Sequence, residues 1–287
     1  MNIKQNLAPS PEETEPRAPH PAPETGCKGV FALCGATEKV TAELRVRTTG
    51  PLARELSIAF ADKASGKPIA QFDEELSHEL HVLATDSDFS SFLHEHAAKL
   101  GHDGRFRVAM QFPKPGTYHV YADAVPTGIG QQVVRFEVQV DTAGGPAAPR
   151  PAPAGAAGTS AGPYTVELDT SALRPGVESM MALTILKNGK PAQDLAPYIG
   201  VPAHAVFVNT SDLGYVHAHA MPAHASGGGH AAHASHDDPS AAVPARLVLH
   251  ARLPVAGRYA LWIQFSGGGQ VRTVPISVTV QTAPHAR

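Results

Sequence analysis

The chain of 287 residues is long enough for two domains of ordinary size. With 17% charged residues and a net charge of −3 it offers no basic stripe of the kind nucleic acid requires. No run approaches the roughly eighteen apolar residues of a membrane helix, so no membrane span is expected, and residues 1–20 lack the apolar centre of a secretory signal, which leaves the cytoplasm open as a location. The unusual number is sixteen histidines.

In chain order, residues 1–37 are rich in Pro, Glu and Thr and read as a disordered lead-in. Cys27 and Cys34 are too few for a disulfide framework, although they suit one local bridge in an oxidising compartment. From Val40 the pattern alternates: Val40-Thr-Ala-Glu-Leu-Arg-Val-Arg, Leu56-Ser-Ile-Ala-Phe, Leu80-His-Val-Leu-Ala, Phe106-Arg-Val-Ala-Met-Gln-Phe, Gly116-Thr-Tyr-His-Val-Tyr-Ala and Val133-Val-Arg-Phe-Glu-Val-Gln-Val. Apolar period two in short runs between Gly and Pro predicts antiparallel strands. The Phe112-Pro-Lys-Pro-Gly-Thr-Tyr118 stretch predicts a strand, a turn and a strand with Tyr118 pointing inward, as near the end of an immunoglobulin-like sandwich. A short helical turn is expected within 87–100.

Residues 142–163 are Ala, Gly and Pro and predict a flexible linker. The same kinds of strand follow from Tyr164 to Val280. The expectation is therefore all-β: two immunoglobulin-like antiparallel sandwiches, 38–141 and 164–281, with a short tail at 282–287.

A histidine frame repeats across the two units. His81, His94 and His96 are matched by His204, His217 and His219, the second histidine lying thirteen residues after the first in each (94 − 81 and 217 − 204). Gly66-Lys-Pro and Gly189-Lys-Pro share the offset of 123, whereas Pro113, Gly116 and Tyr118 match Pro254, Gly257 and Tyr259 at 141. The difference of about eighteen is an insertion at 221–242 that carries His224, His230, His233 and His236.

Residues two apart on a strand share a face. A hairpin of 80–84 with 92–96 is expected to put His81 opposite His94 and diagonal to His96. Three neutral imidazoles then converge on one ion and suit Cu(II) or Zn(II). His78 or Glu95 is a candidate fourth donor, although Glu95 should face away. The inserted loop can wrap a further ion without a preformed site. His119 and His250 have no counterpart in the other copy and read as plain polar surface. Because a ligating imidazole must be neutral, affinity is expected to fall between about pH 7 and pH 5.

The run Gly-Lys-Pro, apolar-Ala-His, Asp, aromatic, His-x-His, Phe-Pro-x-Pro-Gly-x-Tyr resembles a family of bacterial extracytoplasmic β-sandwich domains often found with copper and heavy-metal resistance functions. Gly189 to His204 and Gly257 to Phe265 carry it best. The resemblance implies the six frame histidines as the family's positions, a periplasmic or secreted location, and a metal-transport or resistance protein as partner. The function expected is metal buffering, delivery or resistance. The alternative is an immunoglobulin-like interaction module with incidental histidines. An enzyme is third: no nucleophile elbow, phosphate loop or convincing general base is present.

Overall fold

The computed structural model describes residues 32–97, 99–141, 160–223 and 242–282. Every regular element among them is a β-strand. The first domain contains β1 (Ala32–Ala36), β2 (Val40–Thr48), β3 (Ala53–Asp62), β4 (Phe72–Asp73), β5 (Leu80–Asp86), β6 (Phe92–Ala97), β7 (Phe106–Gln111), β8 (Gly116–Pro126) and β9 (Gln132–Val140). One sheet runs β1-β2-β3-β7; the other runs β4-β8-β5-β6, with β9 on β8. The second domain contains β10 (Ser160–Ala161), β11 (Tyr164–Leu168), β12 (Glu178–Lys187), β13 (Lys190–Pro191), β14 (Leu195–Ala196), β15 (Ala203–Asn209), β16 (Tyr215–Pro222), β17 (Arg246–Arg252), β18 (Gly257–Gly267) and β19 (Gln270–Val280). Here β16 pairs with β17, so the halves that are separate sheets in the first domain form one continuous sheet, β10-β11-β12-β17-β16-β15-β18-β14, with β13 on β12 and β19 on β18.

Alternation builds each core. In β7, Phe106, Val108 and Met110 are buried while Arg107, Ala109 and Gln111 face water. Tyr118 and Tyr259 are buried as expected, and each hydroxyl donates to a carbonyl four residues back, Lys114 or Val255, at 2.9 Å. Gly116 and Gly257, which open the strands that carry these tyrosines, both have φ near +147°, a region that L side chains rarely adopt.

Several local expectations change. Residues 32–36, placed in the lead-in, form β1 against β2. Ser160 and Ala161, placed in the linker, form β10 against β11. The helical turn expected in 87–100 is a hairpin turn followed by β6. The register also differs by two residues: His81 lies directly opposite His96, and Leu83 opposite His94. The cause is Asp86, which extends β5 and caps the turn. Its carboxylate accepts from the Ser90 and Ser91 backbone N–H groups at 2.8 and 3.0 Å, from both serine hydroxyls, and pairs with Lys114 at 2.8 Å. Burial pushes the carboxyl up, yet the Lys114 ammonium and the serine donors outweigh it and hold its pKa at about 2. Asn209 occupies the matching position, 86 + 123, and its Oδ1 accepts from the Ser211 N–H at 2.9 Å. A slip of two residues keeps every side chain on its face.

The strands that carry the frame histidines do not alternate. All seven residues of β5 and all seven of β15 are buried, one face in the domain's own core and the other against the partner domain. Leu83, Phe89 and Tyr121 pack there against Val206, Val208, Ala260 and Trp262. The Phe92 and Trp262 rings stack at 4.8 Å, and Tyr121 stacks on Tyr215 at 4.9 Å. The Tyr121 hydroxyl also donates to the Leu213 carbonyl at 3.1 Å.

Trp262 is 2% exposed and sits at the centre of this seam. Trp262→Ala should therefore cost about 3–5 kcal/mol, taken mainly from the contact between domains. Calorimetry should show the variant melting as two transitions where the parent shows one. An unsplit transition at the parent temperature would refute the coupling.

Candidate metal centre

The seam brings all six frame histidines together. His81 is 1% exposed, His94 9% and His204 0%, and the His217 side chain is 1% exposed. In each triad one ring nitrogen per histidine lies within 4.8 Å of the others. The triads also face each other: the His81 ring is 5.6 Å from His217, His94 is 5.7 Å from His204, and His94 is 5.8 Å from His217. The two sites expected one per domain thus face each other as one buried cluster with two lobes.

Hydrogen bonds fix the tautomers. His81 Nε2 lies 2.9 Å from the Glu75 carbonyl, and His204 Nε2 lies 3.0 Å from the Tyr198 carbonyl. A carbonyl only accepts, so both Nε2 atoms carry the proton and both Nδ1 atoms are bare in the neutral ring. His94 Nδ1 lies 2.8 Å from Gln264 Oε1 of the other domain, and the Gln264 amide donates its N–H to Thr273 Oγ1 at 3.0 Å. That network assigns the His94 proton to Nδ1 and leaves Nε2 bare. In the other lobe the Asp123 carboxylate lies 3.4 Å from His217 Nδ1, again across the seam.

His81 Nδ1 is 3.3 Å from His94 Nε2, and His204 Nδ1 is 3.3 Å from His217 Nε2. In the first lobe both nitrogens are bare and the contact sets two lone pairs against one another; in the second no acceptor fixes the His217 tautomer, so its Nε2–H can donate to His204 Nδ1. Bonds of about 2.0–2.1 Å to a tetrahedral ion place neighbouring ligand nitrogens about 3.3–3.4 Å apart, so this spacing is that of two ligands on one ion. His96 Nε2 and His219 Nε2 are buried with no hydrogen-bond partner, as is His217 Nδ1 by alignment. Leaving such atoms unsatisfied costs about 1–3 kcal/mol each.

Burial dominates the electrostatics. Desolvation lowers the pKa of all six histidines, to about 2 for His96 and about 4 for His219, and their mutual repulsion adds to it. All are neutral at pH 7. Asp123 is 0% exposed; burial raises its pKa, against donation from Gln131. It also accepts from the Tyr215 hydroxyl at 3.2 Å. Glu75 is pushed up to about 7 by burial first and by Asp123 second, and Glu75, Asp123 and His217 form a further group of ligand atoms within 4.8 Å.

His78 stands beside the first triad, its ring 4.4 Å from His96, with Nδ1 against the Leu76 carbonyl at 3.0 Å. Sequence suggested it as a fourth donor, but the group of ligand atoms within 4.8 Å holds only His81, His94 and His96. The matching position in the second copy, 78 + 123, is Val201. Glu95 alternates away from His94 and His96 and is exposed. His224, His230, His233 and His236 lie outside the described residues.

Sequence reasoning missed Asp123 and Gln264. They occupy equivalent positions (264 − 123 = 141) beside His81 and His204 on β8 and β18. The available signal was a polar residue inside otherwise apolar runs, Tyr121-Ala-Asp-Ala-Val and Leu261-Trp-Ile-Gln-Phe.

Residues 36–142 and again 159–282 match the family described as a domain of unknown function, DUF8832. The chain belongs to that family, with two members in tandem. No curated protein matches the chain. Similar solved structures include the BSP domain of a biofilm-associated protein, at 15% identity and TM-score 0.21, covering 84% of this chain and 30% of that one. Alpha-2-macroglobulin of Escherichia coli matches at 12% identity and TM-score 0.23, covering 87% and 14%. The N-terminal periplasmic domain of ScsB from Proteus mirabilis matches at 9% identity and TM-score 0.25, covering 85% and 95%. The chain spans less than a third of the first two, and at these scores none bears on function.

The depressed histidines make the metal-free fold acid-labile. Below about pH 6.5 an unfolded chain takes up protons that the buried rings refuse, so stability present above pH 6.5 is lost as pH falls toward the folded values near 4 for His219 and 2 for His96. Each ring contributes up to about 1.4 kcal/mol per pH unit in that window. Glu75 and Asp123, with raised pKa values, act in the opposite sense, but six rings outweigh two acids. Thermal melts in chelator should show Tm falling steadily from pH 7 to pH 5. A flat profile would show that the rings are already solvated.

Proposed function

We propose that the protein binds transition-metal ions, Cu(II) or Zn(II), in the two facing histidine triads, and serves in metal buffering or delivery. The observation that carries this reading is the 3.3 Å contact between ring nitrogens in each lobe, the spacing of two ligands on one ion, with both nitrogens bare in the first lobe. Three neutral imidazoles suit these ions and are poor ligands for Mg or Ca. With the rings neutral, and His81, His204 and His94 held by carbonyl oxygens, an ion meets ligands that need no deprotonation. Acid competition should then set in below the pH 7 to 5 window that unperturbed histidines would give.

The central histidine of each triad meets a residue of the other domain: His94 is hydrogen-bonded to Gln264, and His217 Nδ1 lies 3.4 Å from the Asp123 carboxylate. An ion in either lobe therefore favours the closed seam, and opening of the seam provides the route for release. An extracytoplasmic setting, with a transport or resistance protein receiving the ion, is part of the proposal and rests on the resemblance stated above.

Full-length protein purified without a tag, loaded with Zn(II) and desalted, should hold two ions more than the His94→Ala/His217→Ala variant, with both giving the same far-UV circular dichroism. Equal metal content in the two would sink the reading. Asp123→Asn should weaken the second triad about 10–100-fold, since it removes the carboxylate that lies 3.4 Å from His217 Nδ1. The first triad, oriented by Gln264, should change far less, which competition titrations with a chelator would resolve.

A further inference from the structure

Met180 is 63% exposed, which packing does not explain. It lies directly opposite His250 on β17, and His250 lies directly opposite His219 on β16. Directly paired residues share a face, with Cβ atoms about 5 Å apart. The row continues through His204 and Gln264, so it runs from solvent into the second triad. Met221, two residues past His219 on the same face, pairs with Val248 and is therefore diagonal to His250. Two thioethers and an exposed imidazole thus flank the outer edge of the second triad. This row is not inherited from the repeat: the matching pair in the first domain is Glu55 and Ala109, and Glu55 is paired with Arg47 at 2.9 Å.

Thioether sulfur beside imidazole is a soft donor set that favours Cu(I) and its analogue Ag(I) over Zn, Mg or Ca. We infer that Met180, His250 and Met221 form a surface capture site for a soft monovalent ion at the outer edge of the second triad. The site stands independently of the proposed function.

The test is a titration of full-length protein, labelled at the methionine methyl carbons, with Ag(I), which is redox-inert. The Met180 and Met221 resonances, assigned with Met180→Leu and Met221→Leu, should shift together over the first two equivalents. Met110 and Met181, exposed by only 2% and 0%, are internal controls that should not move. His250→Asn should abolish the Met180 shift while leaving the spectrum otherwise folded. An unmoved Met180 methyl, or a shift indifferent to His250→Asn, overturns the inference. Repeating the titration in the His94→Ala/His217→Ala chain separates the two ideas: a Met180 shift there supports capture even where the buried centre is lost. If the parent and the double variant hold equal metal, it is the proposed function that fails.

Discussion

The whole arrangement depends on six imidazoles held neutral and out of water in the seam between two sandwiches. A buried histidine is inexpensive when both ring nitrogens are satisfied. Here His81, His94 and His204 each commit one nitrogen to a fixed acceptor, Glu75 O, Gln264 Oε1 and Tyr198 O, and turn the other inward. The outward bonds determine which lone pairs face the interior. They also explain why the neighbouring loops keep their geometry: the positive φ values at Leu76 and Ser77, and at Ile199 and Gly200, bracket the two carbonyl-bearing turns.

The fold and the frame were legible because both rest on spacing. Period-two alternation gave the sandwiches, and an offset of 123 picked out the six histidines before any distance was known. The register was not legible, since it follows from Asp86 capping its own turn, which extends β5 by two residues. The seam was hidden for a different reason. Runs such as Ala203-His-Ala-Val-Phe-Val-Asn lack alternation because both faces are buried, a pattern that also suits a central strand of one domain. Without the seam, the triads read as two separate hairpin sites, and the cross-domain contacts of Gln264 and Asp123 had no geometry to reveal them.

Duplication supplied the symmetry and divergence then broke it. Equivalent cross-seam contacts place an amide on His94 and a carboxylate on His217. The first lobe has His78 nearby where the second has Val201, whereas the second lobe alone is continuous with β17 and β12, which carry the exposed His250 and Met180. One lobe is richer in nitrogen; the other is richer in negative charge and closer to solvent.

Charge would decide how such lobes fill under the proposed function. Like ions in neighbouring lobes repel, and monovalent ions do so about a quarter as strongly as dications at the same separation. Against this repulsion the seam offers few acids: Asp123 and Glu75 lie together near His217, and the amide of Gln264 carries no charge. On that proposal an ion would gain most beside Asp123, in the second triad, and the carboxylate would give the filling an order that two identical copies would not have. The lobe filled first would then be the one whose outer edge meets the exposed methionine, so that capture and tightest binding would fall on the same side of the molecule.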